Sequence, residues 1–496
     1  MGRSSLVSKR GAAGVSAALA TIAISWAIAV PVAAQEEQKS SVSQRATPPR
    51  PLDTAFLDPA SLAGPDGDTG FRRVRQAGAT FVRVMLNWNE VAPVGEVKPA
   101  DFVARDPADP LYRWAELDRQ VRAAAVRGLA PLVYVQAAPL WAQSGQKLRP
   151  NDGPVRPNPA ALGDFATAAA SRYSGSFGGL PRVRHWQVWN EPNLNIQLMP
   201  QFTGDTPVSA DLYRSMVNAM AGAVHAVHRD NVVVAGGLAP FGGDSNDPSG
   251  GNVPNQERVR PMEFMRRLLA KRVEFDVWSH HPYTYGGPTH KAFHKNDVSL
   301  GDLDKMTSLL KTAERRGQIK SRGKVEFWVT EFSYDSQPAD PKGLPPALHA
   351  RWVSEALYRM WSDGVSLVTW FLIRDEPFPQ GMFQSGFYTK DDRPKLALRA
   401  FRFPFVAFWA KNGSISYWGR TPAGVKKSVV IEQKAGKWRR VAVPTVDRYG
   451  IFSGRIENVR GSGSLRARLA SGGDFSQPFS LTVPKDFRFC PWGSFC

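Results

Sequence analysis

From about residue 51 to residue 410 the chain alternates two patterns of apolar positions. Short runs of β-branched and aromatic residues read as strands at roughly 54–58, 79–86, 130–137, 184–190, 232–238, 274–280, 325–331 and 366–373. Continuous runs such as Val232-Val233-Val234 leave no polar face, as expected of parallel strands buried on both sides. Between them lie stretches with helical spacing, among them 114–126, 211–227, 264–269 and 347–361. Gly78, Gly128 and Gly364 stand where such helices must stop, the usual place for a left-handed C-terminal residue. Eight strand–helix units predict an α/β fold of the (β/α)8, or TIM-barrel, type. A doubly wound open sheet is the competing arrangement. It would carry a Gly-rich phosphate turn after the first strand, and the sequence has none.

After Trp409 the pattern changes. Runs such as Ser428-Val429-Val430-Ile431-Glu432, Lys437-Trp438-Arg439-Arg440-Val441 and Ser464-Leu465-Arg466-Ala467-Arg468 alternate with turn signals at Ala435-Gly436, Tyr449-Gly450 and Gly472-Gly473. Period-two alternation broken by turns predicts a small antiparallel β-sandwich. The expected organisation is therefore a catalytic barrel over 51–410 and an accessory β-sandwich over 411–496.

The first 50 residues read differently. Arg3, Lys9 and Arg10 precede an apolar stretch from about Gly11 to Val30, and the small residues Val32 and Ala34 suit cleavage before Gln35. Residues 1–34 are expected to be a signal peptide and 35–50 a disordered lead-in, so the protein is expected to be secreted. An uncleaved membrane anchor is the other reading, since the stretch approaches spanning length. Cys490 and Cys496 are the two cysteines; export would allow them to close a small loop at the tail. No Cys/His cluster has metal-ligand spacing, so no metal site is expected, and no organic cofactor is expected either.

The net charge is +19, and residues 411–496 carry 15 Lys and Arg against 5 Asp and Glu. Such a basic module suits an anionic cell-surface polymer, or simply confers solubility. Nucleic acid is not expected, because no recognised binding motif is present and the chain reads as exported.

The strongest local signal is His185-Trp186-Gln187-Val188-Trp189-Asn190-Glu191-Pro192-Asn193, an apolar strand ending in Asn-Glu-Pro. A second strand, Val325-Glu326-Phe327-Trp328-Val329-Thr330-Glu331-Phe332, ends the same way. The C-terminal ends of barrel strands form the catalytic face, so Glu191 on strand four and Glu331 on strand seven share one rim. Two carboxyl groups so placed are what glycosidic-bond hydrolysis needs. One protonates the leaving oxygen; the other attacks the anomeric carbon at about 5–5.5 Å separation, or activates water at about 6.5–9.5 Å.

Trp189-Asn190-Glu191-Pro192 with Thr330-Glu331 resembles clan A of the glycoside hydrolases, retaining (β/α)8 enzymes, and most of all family 39 and parts of family 5. The likeness covers residues 51–410. It implies Glu191 as acid/base and Glu331 as nucleophile. It matches Arg83 to a strand-two Arg that supports the nucleophile, and a cation there would keep Glu331 ionised. It matches Asn190 to the residue that bonds the sugar 2-hydroxyl. His281 and Tyr283 match the strand-six His and Tyr, with adjacent His280 leaving the functional His open by one residue. Trp370 matches a strand-eight Trp that floors the sugar site, and is expected to offer its face to a sugar. Outside the resemblance, Trp141 reads equally as a sugar platform or as packing. Asp335, Asp375 and Glu376 lie past strand ends and read as residues that shape subsites or loops.

Three functions follow. The first is a retaining glycosidase acting on a poly- or oligosaccharide. The second is a transglycosidase using the same residues. The third is a carbohydrate- or wall-binding protein with a vestigial barrel, which would have no need of the Glu pair. The sequence leaves the sugar, the linkage and the oligomeric state open.

Overall fold

The computed structural model describes residues 49–64, 66–147, 150–243, 258–457, 463–482 and 484. The expected signal peptide, most of the lead-in and the Cys490–Cys496 pair lie outside the described residues. Among those residues no helix is long and apolar enough to cross a membrane.

Eight parallel strands form the barrel: β1 (Asp53–Leu57), β2 (Phe81–Asn87), β3 (Ala130–Gln136), β4 (His185–Val188), β5 (Val232–Leu238), β6 (Val277–His280), β7 (Glu326–Phe332) and β8 (Val365–Phe371). They pair in chain order from β2 round to β8, and β8 pairs with β1. β1 and β2 meet at the base, where Thr80 N–H donates to the Thr54 carbonyl at 3.0 Å. The main helices are α1 (Gly67–Gln76), α2 (Ala115–Ala125), α3 (Pro159–Arg172), α4 (Ser209–Val227), α5 (Pro261–Leu268), α6 (Leu303–Arg315), α7 (Pro346–Ser362) and α8 (Leu396–Arg402). One follows each strand. Gly78, Gly128 and Gly364 follow α1, α2 and α7 with φ of 78°, 65° and 107°, the left-handed geometry that ends a helix.

Alternation along each strand sorts the side chains. Ala55, Leu132, Val234, Val277, Trp328 and Leu367 pack together inside the barrel. Leu57, Tyr134, Phe371 and Leu372 form a second apolar group nearer the C-terminal rim. Between these layers fall the fully buried Arg83, Gln187, Ser279, Thr330 and Thr369. The opposite faces of the strands, with Val84, Trp186, Val233, Trp278 and Val368, join the helices in one continuous core.

The C-terminal module is two antiparallel sheets. β9 (Phe405–Trp409), β10 (Ile415–Arg420) and β13 (Ile451–Ile456) make the first. β11 (Val429–Ala435), β12 (Lys437–Ala442), β14 (Ser464–Leu469) and β15 (Phe479–Ser480) make the second, in the order β12-β11-β14-β15. β9 begins before residue 411, inside the span that the sequence pattern gave to the barrel. Trp418 seats the module on α7, its ring 5.4 Å from both Tyr358 and Trp361.

Candidate active site

β2 supplies the organising cation. Arg83 is fully buried, and its guanidinium lies 3.9 Å over the Tyr134 ring from β3. Its Nε donates to Gln187 Oε1 at 3.1 Å, Nη2 to Asn190 Oδ1 at 2.8 Å and Nη1 to Glu331 Oε2 at 2.9 Å. One planar fork therefore fixes residues from β4 and β7 at once.

Simple alternation from Gln187 would face Trp189 inward and Asn190 outward, and from Thr330 would face Glu331 outward; each strand breaks that pattern at its end. Between the Val329–Val368 and Phe332–Trp370 pairs, β7 advances three residues while β8 advances two. The extra residue is a bulge, which re-aims side chains next to it. It lets Thr330 reach His281 while Glu331 also turns inward. After β4, Trp189 and Glu191 take φ of 63° and 41°. Left-handed backbone at bulky residues is strained and gathers at functional sites. Trp189 turns into the outer core, where its indole donates to the Gln197 carbonyl at 2.8 Å. Glu191 N–H donates to the Gly237 carbonyl at 2.9 Å, and Asn193 ties the loop to Ala239 and Val259. Gly237, at φ 59°, is itself required: a methyl there would stand 2.7 Å from Gln187 Nε2.

The two carboxyl groups sit in unlike surroundings. Glu331 accepts from Arg83 on one oxygen and from the Tyr283 hydroxyl at 3.0 Å on the other. Burial pushes the Tyr283 hydroxyl well above its ordinary pKa, and both Glu residues add to the shift, so it stays a donor. Glu191 bonds His281 Nδ1 at 2.9 Å. Burial raises the Glu191 carboxyl to about 7, against the opposing charges of Arg83 and Arg258. His281 is driven the other way by burial, to about 3, and is a neutral imidazole. With Glu191 ionised, Nδ1–H donates to Glu191 and Nε2 accepts from the Thr330 hydroxyl at 3.1 Å, an assignment in which every donor meets an acceptor.

Glu191, His281 and Glu331 each place a polar atom within 4.8 Å of the others. Three such atoms could surround one cation, but Arg83 already sets a permanent charge 2.9 Å from Glu331. Each Glu side chain keeps 16% of its surface open, so both reach the same rim.

The structure brings Glu191, Glu331, Arg83, Asn190, His281 and Tyr283 together. It separates His281 from His280: Val277, Ser279 and His281 alternate inward, while His280 faces outward and bonds the Val298 carbonyl at 2.8 Å. Trp370 is a correction. It is 1% exposed, stacks on Phe387 at 4.8 Å and spends its indole N–H on the Ser385 carbonyl, so it has no face for a sugar. The reason is parity, since Leu367 and Phe371 line the interior and the residue between them and the helices must point out. Trp141 takes the packing reading, edge-on to Trp88 and bonded to the Pro93 carbonyl at 2.8 Å. Asp335 and Asp375 hold loop backbone, through Gln384 N–H and Gly386 N–H respectively. Gln187, Tyr134 and Thr330 were legible from alternation as inward residues; Arg258, beyond a loop, carried no signal.

No protein-family model and no curated protein matches the chain. Solved structures of similar fold exist at low identity. One is a family 39 glycoside hydrolase from the gut symbiont Bacteroides cellulosilyticus WH2, 17% identical, covering 82% of this chain and 79% of that one with a TM-score of 0.48. A glucosidase from Croceicoccus marinus is 15% identical over 83% of this chain and 96% of its own, TM-score 0.45. A GH5_18 protein from Streptomyces cattleya in complex with GlcNAc is 18% identical over 71% and 79%, TM-score 0.44. The fold neighbours are glycosidases.

Proposed function

We propose that this protein is a retaining glycoside hydrolase in which Glu331 is the nucleophile and Glu191 the acid/base. The carrying observation is the pair itself: carboxylate oxygens within 4.8 Å, one held by a cation and a phenol, the other protonated to about pH 7. That separation is short of the ~6.5–9.5 Å that leaves room for a water between the groups, and it favours double displacement. Glu331 attacks the anomeric carbon as Glu191 gives its proton to the departing glycosidic oxygen. The Glu331 ester is then cleaved by water, which yields a proton to the Glu191 carboxylate. Two unlike environments set the acid/base apart from the nucleophile. Asn190 shows its oxygen to Arg83, so its Nδ2 is the donor available to a sugar hydroxyl. The expected export signal would place this chemistry outside the cell.

The test uses aryl glycosides and a 2-deoxy-2-fluoro glycoside. Glu331→Gln should abolish turnover. Glu191→Ala should retain activity on good leaving groups and respond to azide, because forming the ester then needs no proton. The fluoro sugar should add its mass to Glu331. Near wild-type turnover by Glu331→Gln would overturn the assignment. Product analysis with added acceptor separates hydrolysis from transglycosylation, which uses the same residues.

A further inference from the structure

We infer that the outer face of the four-stranded C-terminal sheet is a binding surface for a carboxylated polysaccharide, built from guanidinium planes backed by aromatic rings. The face follows from register. Lys434 lies opposite Trp438, and Glu432 opposite both Arg440 on β12 and Arg466 on β14. Val430 lies opposite Arg468, which is bridged in turn to Phe475. Directly paired residues share a side of a sheet, so these side chains share one. The other side, with Val429, Ile431, Leu465, Ala467 and Leu469, is buried in the core.

The cations on this face are held rather than scattered. The Arg466 guanidinium lies 4.2 Å over the Trp438 ring, and 5.0 Å from Phe475. Arg399, from α8, covers Phe475 at 4.4 Å. A row runs from the barrel to the sheet edge: Arg399, Phe475, Arg466, Trp438. Glu432 accepts from Arg466 Nε at 2.8 Å and Arg468 Nε at 2.9 Å, which orients both forks and neutralises one of their two charges. Lys434, Arg440 and Arg399 are exposed. Among the described residues the face is net positive.

Planar guanidinium forks match carboxylates in bidentate fashion, and stacking on a ring fixes the plane before a ligand arrives, so less freedom is lost on binding. Neighbouring strands lie about 4.8 Å apart, so β12 and β14 repeat cations at about twice that spacing across β11. A polymer with a carboxylate on each sugar can bridge the two rows. The rings are covered by guanidinium, which leaves them poorly open to nucleobases. The choice of a glycan over another polyanion rests on the proposed sugar chemistry of the barrel; the charge and the geometry do not.

The test is retention of the full-length chain on polygalacturonate, on its fully methyl-esterified form, and on phosphatidylglycerol vesicles, at low and at 0.5 M salt. The result expected is retention by polygalacturonate alone, lost at high salt. Trp438→Ala, and separately Lys434→Gln with Arg440→Gln, should each weaken it at least about threefold. Aryl-glycoside turnover by these variants should match wild type, which keeps a failure here distinct from a failure of the catalytic assignment. Equal affinity for the esterified form or the vesicles, or unchanged retention by both variants, would overturn the inference.

Discussion

Glu191 holds its proton to about pH 7 because burial outweighs the charges of Arg83 and Arg258. An acid that must be protonated loses function as it ionises, so kcat/KM should fall as pH rises through about 7. Arg258→Met removes one of the two opposing charges and should move that alkaline limb upward; a limb unmoved or lowered would rule out Arg258 as a tuning residue. The same shift bears on stability. Here the folded-state value lies above the unfolded one, so the folded chain binds more protons between the ordinary Glu range and pH 7. Stability contributed by the neutral form is therefore present at low pH and is lost as pH rises to about 7, by roughly 3 kcal/mol. Glu191→Gln should melt close to wild type near pH 4 and above it at pH 8, as read by calorimetry. A difference independent of pH would show that the carboxyl is not desolvated as described.

At the scale of elements, the bulge in β7 and the left-handed turn after β4 do what plain strands cannot: the first turns Glu331 inward beside Thr330, the second brings Asn190 to Arg83 beside Glu191. Gly237 supports that turn, since its carbonyl receives Glu191 N–H and its missing side chain leaves room for Gln187. Gly237→Ala should therefore lower kcat by about tenfold or more while the chain still folds, because small displacements of reacting groups are costly. Wild-type kcat would show that the Gln187–Arg83 contact does not position the nucleophile. These elements also mark how far the sequence could be read. The eight strands were legible because doubly buried strands must be runs of apolar residues, and both Glu residues because they end such runs. The choice of His281 over His280 was within reach, since Val277 and Ser279 set the parity. Trp370 departs from its motif expectation because alternation along β8 points it outward. The bulge and the left-handed φ values left no mark, because they arise from pairing with strands distant in the chain.

At the scale of the whole molecule, barrel and C-terminal module share one apolar core, and the seam runs along α7 to the base of the barrel. Helices of this fold run antiparallel to their strands, so the end of α7 lies at the base while the carboxyl pair lies at the opposite end. Tyr358 and Trp361 occupy that end and meet Trp418, which is 2% exposed. Arg351 adds a bond to the Ser480 carbonyl at 2.7 Å, and Arg420, fully buried, lies within electrostatic reach of Asp53 at the start of β1. A seam this continuous predicts that the two parts unfold together. Trp418→Ala removes a large ring from a closed site, a change worth about 3–5 kcal/mol, with the void adding to the loss of buried surface. The variant should melt several degrees below wild type in a single transition, with tryptophan fluorescence and enzymatic activity lost at the same temperature. At 25 °C its kcat should equal that of wild type, because no contact of Trp418 reaches the carboxyl pair. Two separate transitions, with activity surviving the first, would instead make the module an independent unit whose contacts with α7 add nothing to the barrel's stability.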